Sequence, residues 1–450
     1  MASDAPADQL WPLDQGIARC KSERQAALHQ FARGCADGAS PGPSRALAPP
    51  SQVEQLVGGS AQRQKLIVLT DIGSDADDAM ALLLLYALPD SPFHLLGVVC
   101  SFGEVALRQR TAQVLMDLIA EACPAAREVP VIAGARTPLG GCEDWHGGWE
   151  GQGYMSGAER ASLTTDPGPG RPRLHNLREV LVKLADPEVP LRAAAGGGME
   201  GDDLGAARFI ADTVNQHPAG EVAVAVLGAM TDLALALRLD SSLASKIQRV
   251  SFMGLATPRC LMLGAGGPGL APGLVKAGVT EGLRGSHNAK CDVVAAHEVV
   301  ESGVPLLAVT GTFTRGVVSK AGTGLINSFL ALLDTSALPP GEAPGLGQLP
   351  PASTTAPLRR AAAGVAINLH HWMAEEGHLY WHDGLALLEA LQPGARVRYA
   401  RGRFFVHLEG TGASMEGAGA STFVYDPDRG PHLAAVTVVQ AEGEGEGAAA

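Results

Sequence analysis

Four aspartates, Asp71, Asp75, Asp77 and Asp78, fall within eight residues of this chain. One or two would read as helix caps on a solvated turn. Four at one turn repel one another, and such a cluster asks for a positive partner. A hard divalent cation with oxygen ligands is the natural one. The spacing rejects two familiar alternatives. A calcium loop of the EF-hand type counted from Asp71 needs Gly sixth and Glu twelfth, where the chain has Ala76 and Leu82. A phosphate-binding P-loop needs a Gly-Lys-Ser/Thr ending, which is missing. Far along the chain, His382-Asp383 offers a second acid beside an imidazole. Alone it would read as a helix cap with a neighbouring histidine. Together with the first cluster it reads as the other half of a site.

These residues need rigid elements behind them. Leu66-Ile67-Val68-Leu69 has the length and type of a buried strand, and Ala79 to Leu88 reads as a buried Ala/Leu-rich helix. The aspartates therefore sit at the C-terminal end of a strand and the start of a helix. Free N–H groups and the helix dipole favour negative charge there. Further strands are expected at Phe93–Cys100, Val129–Ala133, Val222–Leu227, Leu306–Thr310, Arg398–Leu408 and Val436–Gln440. Helices are expected at Ala106–Cys123, Asp203–Asn215, Val293–Ser302 and Val365–Glu375. Strands alternating with helices at this spacing imply an α/β fold: an open, mostly parallel sheet flanked by helices, with loop insertions.

Composition sets the outer bounds. A formal net charge of −13 argues against a nucleic-acid partner. Seven cysteines (20, 35, 100, 123, 142, 260 and 291) are scattered without a CxxC pair, which suggests free thiols in a reducing compartment, with the cytoplasm as the default. No apolar run approaches the length of a membrane span, so no membrane partner is expected. Residues 1–64 read as an extension. It carries Asp4, Asp8 and Asp14 where a signal peptide would have an apolar core, a basic stretch from Arg19 to Arg33 that leaves an organelle leader open, and a Pro/Ser/Gly linker from Gly38 to Gln52. One domain is expected over 65–440. Residues 441–450 read as an acidic, disordered tail. Pro167–Arg173, Ala193–Asp203 and the segment from Leu255 to Gly285 read as loop insertions.

The stretch 71–79 resembles the opening motif of the inosine-uridine preferring nucleoside hydrolases, a strand followed by Asp-x-Asp-Pro-Gly-x-Asp-Asp-Ala and a helix. Asp77-Asp78-Ala79 matches its ending. Its start aligns in two ways. Either Asp71-Ile72-Gly73 takes the place of Asp-Pro-Gly, with a loop two residues longer, or Asp71 is the first Asp and Gly73 replaces the second. The resemblance runs on through Gly103-Glu104-Val105, through Gly228-Ala229-Met230-Thr231-Asp232-Leu233-Ala234, and through Ser286-His287-Asn288 with Asp292. It ends on His382-Asp383-Gly384-Leu385-Ala386, similar to His-Asp-Pro-Leu-Ala. Two positions depart from the family pattern. Glu104 stands where the family has Asn, and Ser286 stands where it has Glu.

The resemblance implies calcium-dependent hydrolysis of the N-glycosidic bond of ribonucleosides, giving ribose and a free base. It makes Asp71 the general base and a metal contact, Asp78 and Asp383 metal ligands, and Leu227 a ligand through its backbone carbonyl. Asp77 would hold a ribose hydroxyl or the metal. Asp75 joins the metal set and takes the role of Asp71 in the gapless alignment. Asn288 and Glu104 would face the ribose. His146, in the Gly/Trp/His loop Glu143–Gly153 with Trp145 and Trp149, would face the substrate, and His382 would be the acid beside the leaving base. His297 reads as structural. Family members often assemble as dimers or tetramers, so a homodimer or homotetramer is implied. Two other readings stay open: a divergent member that binds nucleoside or ribose without turnover, and a metal-dependent phosphohydrolase.

Overall fold

The computed structural model describes residues 63–73, 75–87, 93–140, 150–151, 154–164, 204–255, 286–315, 318–320, 361–362, 365–366, 368–369, 378–394, 397–406, 421–425 and 431–436. The expectations for the extension and tail, for the insertions at 167–173, 193–203 and 256–285, and for the loop carrying His146 lie outside them.

The strands are β1 (Gln64–Thr70), β2 (Phe93–Cys100), β3 (Val131–Ala133), β4 (Val222–Val226), β5 (Arg249–Met253), β6 (Leu306–Val309), β7 (Val318–Lys320), β8 (His378–Tyr380), β9 (Arg398–Val406), β10 (Ser421–Tyr425) and β11 (His432–Val436). The helices are α1 (Asp77–Ala87), α2 (Val105–Ala120), α3 (Gly157–Leu163), α4 (Gly205–Asn215), α5 (Thr231–Leu239), α6 (Leu243–Lys246), α7 (His287–Cys291), α8 (Val293–Glu301), α9 (Gly311–Thr314) and α10 (His382–Leu391).

Among the described residues, nine strands form one sheet in the order β10-β9-β11-β6-β5-β4-β1-β2-β3, and β7 pairs with β8 apart from it. Pairing is parallel from β11 across to β3, while β9 runs antiparallel to both β11 and β10. The chain leaves β1 toward β2 and β3 on one side and returns to β4, β5 and β6 on the other. The strand order thus reverses between β1 and β4, and in open α/β sheets ligands bind in the crevice beyond the strand ends at such a point.

Alternation along the central strands divides the core in two. Ile67, Leu69, Val222, Val224 and Val226 face one layer with α4, α5 and α8. Leu66, Val68, Ala223, Ala225 and Leu227 face the other with α1, α2 and α10. Both faces of the sheet are covered, which explains the continuous apolar runs of β1 and β4. Among the described residues no helix is long and apolar enough to cross a membrane.

The expected elements recur with shifted ends, except that most of the helix expected at Val365–Glu375 lies outside the described residues. The helix read as Ala106–Cys123 is α2, Val105–Ala120, because Pro124 opens a short 3₁₀ turn at Pro124–Glu128. The last strand begins earlier than expected, at His432. The His432 Nδ1 accepts the Phe404 N–H (2.9 Å) and its Nε2 lies 3.2 Å from the Val300 carbonyl oxygen, so the imidazole ties β11 to β9 and α8. A polar residue at a strand start hid this from the apolar pattern. Residues 437–440 lie outside the described part.

Candidate active site

Strand β1 ends at Thr70, and β4 ends beside it, with the Leu227 N–H donating to the Leu69 carbonyl at 2.8 Å. The turn after β1 carries Asp71 and Asp75. Gly73 makes the bend at φ +112°, and a Cβ there would stand 3.3 Å from the Gly151 nitrogen. Asp77 and Asp78 occupy the first turn of α1, and Asp383 that of α10. One carboxylate oxygen from each of Asp75, Asp77, Asp78 and Asp383 lies within 4.8 Å of the others. The Asp383 N–H donates to Asp77 Oδ2 at 3.2 Å, and the Thr70 hydroxyl donates to Asp78. Among the described residues, Asp77 Oδ1 is buried without a hydrogen-bond partner.

Burial is the main cause that pushes Asp75, Asp77, Asp78 and Asp383 above the usual carboxylate range. The charges of neighbouring aspartates push further, Asp71 among them for Asp75, Asp78 and Asp383. Four acids that oppose one another's ionisation, one with an orphaned oxygen, are the environment a divalent cation resolves. Asp71 stands beside this group of four. A Cβ on Gly228 would come within 2.8 Å of Asp71 Oδ1 and 3.0 Å of its Cβ, so the absent side chain at 228 makes room for the aspartate.

Arg108 fixes the turn from below. Its guanidinium donates to the carbonyls of Phe102 (2.8 Å), Asp71 and Ile72 (3.2 Å) from a fully buried position on α2. Phe102 itself is held at φ +70°, a strained conformation for a non-glycine residue.

The carboxylates open on a cavity of about 430 Å³. Its wall includes Asp71, Asp75, Asp77 and Asp383, together with Leu227, Met253, Ser286 and Asn288, and it continues through Arg315, Tyr380 and His382. The Asn288 amide donates to the carbonyls of Leu227 and Met253 (3.0 Å for the latter), bracing the ends of β4 and β5. The Ser286 hydroxyl is buried and has no hydrogen-bond partner among the described residues. His382 Nδ1 lies 2.5 Å from the Thr314 hydroxyl. Burial first, then Arg315 and His378, hold the His382 pKa down at about 4. At neutral pH its imidazole is therefore uncharged and can offer a hydrogen bond rather than a loosely held proton.

Of the residues expected from sequence, Asp71, Asp75, Asp77, Leu227, Asn288, His382 and Asp383 meet at this cavity, with Asp78 behind them in the cluster. Leu227 lines the cavity, and its carbonyl accepts from the Asn288 amide. Glu104 is placed apart from the cavity wall. It is 4% exposed and its carboxylate pairs with Arg136 at 3.1 Å. His297 is buried in α8, in line with a structural role. Arg108, Met253, His287, Arg315 and Tyr380 were not anticipated as site residues. His287 lies inside the Ser286-His287-Asn288 motif and Tyr380 two residues before His382-Asp383, so both could have been found there, whereas nothing local marks the two arginines.

The family model of the inosine-uridine preferring nucleoside hydrolases matches residues 66–443. This chain belongs to that family. Among curated relatives of the nucleoside hydrolase chain, Uridine nucleosidase 1 of Arabidopsis thaliana is 28% identical over 193 residues, 43% of this chain and 45% of the relative. Probable uridine nucleosidase 1 of Oryza sativa subsp. japonica is 27% identical over 192 residues, 43% and 47% of the two chains. The matched part thus spans less than half the length of these relatives. A solved inosine-guanosine nucleoside hydrolase shares the fold at a TM-score of 0.50 and 18% identity, over 83% of this chain and 94% of the other.

Proposed function

We propose that this chain hydrolyses the N-glycosidic bond of ribonucleosides, with Ca²⁺ held by the carboxylate cluster. The observation that carries the reading is the convergence of Asp75, Asp77 and Asp78 with the distant Asp383 at one end of a nucleoside-sized cavity. The donor set fits a hard cation: only oxygens, several of them anionic, with the unpartnered Asp77 Oδ1 and the Leu227 carbonyl beside them. Asp75, Asp78, Asp383 and the Leu227 carbonyl would hold it, with Asp77 shared between ion and sugar. Such an ion supplies charge compensation, a grip on vicinal hydroxyls and a lowered pKa for water.

The chain's own groups do the rest. Asp71 lies outside the mutual set of four yet lines the cavity, which supports it as the base that takes the proton of the attacking water. Asp77 Oδ1 accepts a ribose hydroxyl. Asn288 faces the sugar from the ends of β4 and β5. The buried carboxylates stabilise positive charge growing on the sugar ring as the bond to the base stretches. The neutral His382 orients the base by hydrogen bonding. The uridine nucleosidase relatives support a ribonucleoside as the substrate. Free thiols at Cys100, Cys123 and Cys291 support a reducing, cytoplasmic setting.

A second reading has its own observation. Glu104 pairs with Arg136 and Ser286 is short, so two contacts to a sugar are missing, as in a binder without turnover. The test is release of reducing sugar from inosine, uridine and adenosine, with Ca²⁺ and after chelation, with free phosphate measured in parallel. Calcium-dependent sugar release establishes the reaction. Riboside binding without release points to the binder, and phosphate release from phosphorylated substrates points to a phosphohydrolase.

A further inference from the structure

The cavity holds a cation that the carboxylates leave alone. Arg315 lines it together with Asp71, Asp75, Asp77 and Asp383, yet among the described residues its guanidinium has no hydrogen-bond or ion-pair partner. Arg315 is exposed, so its guanidinium stands solvated and open to a ligand. Its backbone is fixed. Arg315 follows α9, where its N–H donates to the Gly311 carbonyl at 3.2 Å, and the preceding Thr314 hydroxyl lies 2.5 Å from His382 Nδ1. Tyr380 completes this part of the wall, with its ring 5.1 Å from the His382 ring and tilted by 33°. The cavity therefore has an anionic part suited to a cation and a sugar, and a part around Arg315 that can donate hydrogen bonds from a fixed positive charge.

We propose that Arg315 receives the departing nucleobase, donating to a carbonyl oxygen of the base and stabilising the negative charge that develops there. The assignment rests on the hydrolase reading above. As the C1′–N bond breaks, its electron pair stays on the ring nitrogen and spreads onto the base carbonyl. The water oxygen bonds to C1′, the water proton passes to a carboxylate, and the base takes up a proton from solvent after it leaves. A guanidinium is charged at every relevant pH and presents its donors in a fixed fork, so it serves this purpose without proton transfer.

The test compares two leaving groups on the full-length protein with Ca²⁺: uridine, whose base leaves poorly, and 4-nitrophenyl riboside, whose phenolate needs little help. Arg315→Ala should lower kcat/KM on uridine about 100-fold, in the range set by loss of one transition-state donor. On the nitrophenyl riboside the loss should stay below about ten-fold, and Arg315→Lys should restore part of the uridine activity. Equal losses on both substrates, or a uridine loss under about three-fold, would overturn the assignment. If the wild-type protein cleaves neither substrate, the hydrolase reading itself falls. If wild type cleaves both and the alanine variant cleaves both at wild-type rates, the hydrolase reading stands and the role of Arg315 alone is wrong.

Discussion

Asp77 and Asp383 are 306 residues apart in the chain and joined by a hydrogen bond, the Asp383 N–H donating to Asp77 Oδ2 at 3.2 Å. The contact brings together the first turns of α1 and α10, so two helix N-termini and their free N–H groups face the same cluster. Their dipoles soften the repulsion among the acids without cancelling it. The first prediction follows from this balance. Asp78→Ala or Asp383→Ala should reduce bound calcium from about one per chain to none at micromolar Ca²⁺, and should abolish the melting shift that calcium gives the wild type, measured by metal analysis and thermal unfolding. A ligand at 100 times its Kd adds ~2.7 kcal/mol, so the lost shift is readily seen. In chelator both variants should melt at or above the wild-type temperature, because one of four mutually opposed carboxylates is gone. Wild-type calcium content in either variant would count heavily against the site.

Gly228 is the second test, aimed at Asp71 without touching its carboxylate. A Cβ there would stand 2.8 Å from Oδ1, 2.9 Å from Cγ and 3.0 Å from Cβ of Asp71, so the whole side chain must move. Gly228→Ala should keep calcium binding but lower kcat by ~10²-fold, the cost expected of a misplacement near 1 Å in a reacting group. Loss of calcium in step with activity would instead place Asp71 among the ligands that the ion cannot do without.

How far the sequence carried the site depended on how local each feature was. Asp71 to Asp78 were legible because acids crowd one turn after an apolar strand. Asp383 was legible only through its motif, since the partner that gives it meaning lies at the other end of the chain. The parallel sheet followed from β-branched runs alternating with helices. The antiparallel β9 and β10 follow no such rule, because edge pairing is decided by contacts between distant strands. Glu104 reads as a sugar contact from its neighbours in sequence, yet Arg136 on the next loop claims its carboxylate. Arg108 and Arg315 gave no signal at all. One acts on backbone carbonyls, which any sequence supplies, and the other is an exposed arginine with no partner among the described residues to mark it.

Stability should fall as pH drops from about 6.5 toward 4, through a histidine remote from the carboxylates. His432 is buried in β11, and burial, then the nearby Arg403, hold its pKa at about 4 against an ordinary 6.5, while the Val300 carbonyl pulls the other way. Arg403 also pairs with Glu301 at 2.9 Å, so that carboxylate offers His432 little compensation. A histidine with a lowered folded pKa contributes stability that is complete above 6.5 and lost on acidification toward 4. Geometry gives the reason: Nδ1 accepts the Phe404 N–H, and a proton on Nδ1 would end that bond. His432→Gln should be less stable than wild type at pH 7.5 and should lose less stability on going to pH 5. Parallel curves for the two proteins in chelator would show that His432 does not titrate on unfolding.

Arg108 offers the sharpest separation of charge from shape. Its buried guanidinium reaches the carbonyls of Phe102, Asp71 and Ile72, three points on the two loops that flank the carboxylates. A lysine keeps the positive charge but cannot span those acceptors with one ammonium group. Arg108→Lys and Arg108→Met should therefore both be destabilised by ~2–4 kcal/mol in denaturant unfolding, on the scale of one or two lost charged hydrogen bonds. Both should also bind calcium more weakly, because the turn bearing Asp71 and Asp75 loses its brace. If charge were the main contribution, Arg108→Lys would behave as wild type while Arg108→Met alone failed, and the cluster would need Arg108 as a counter-ion rather than as a clamp.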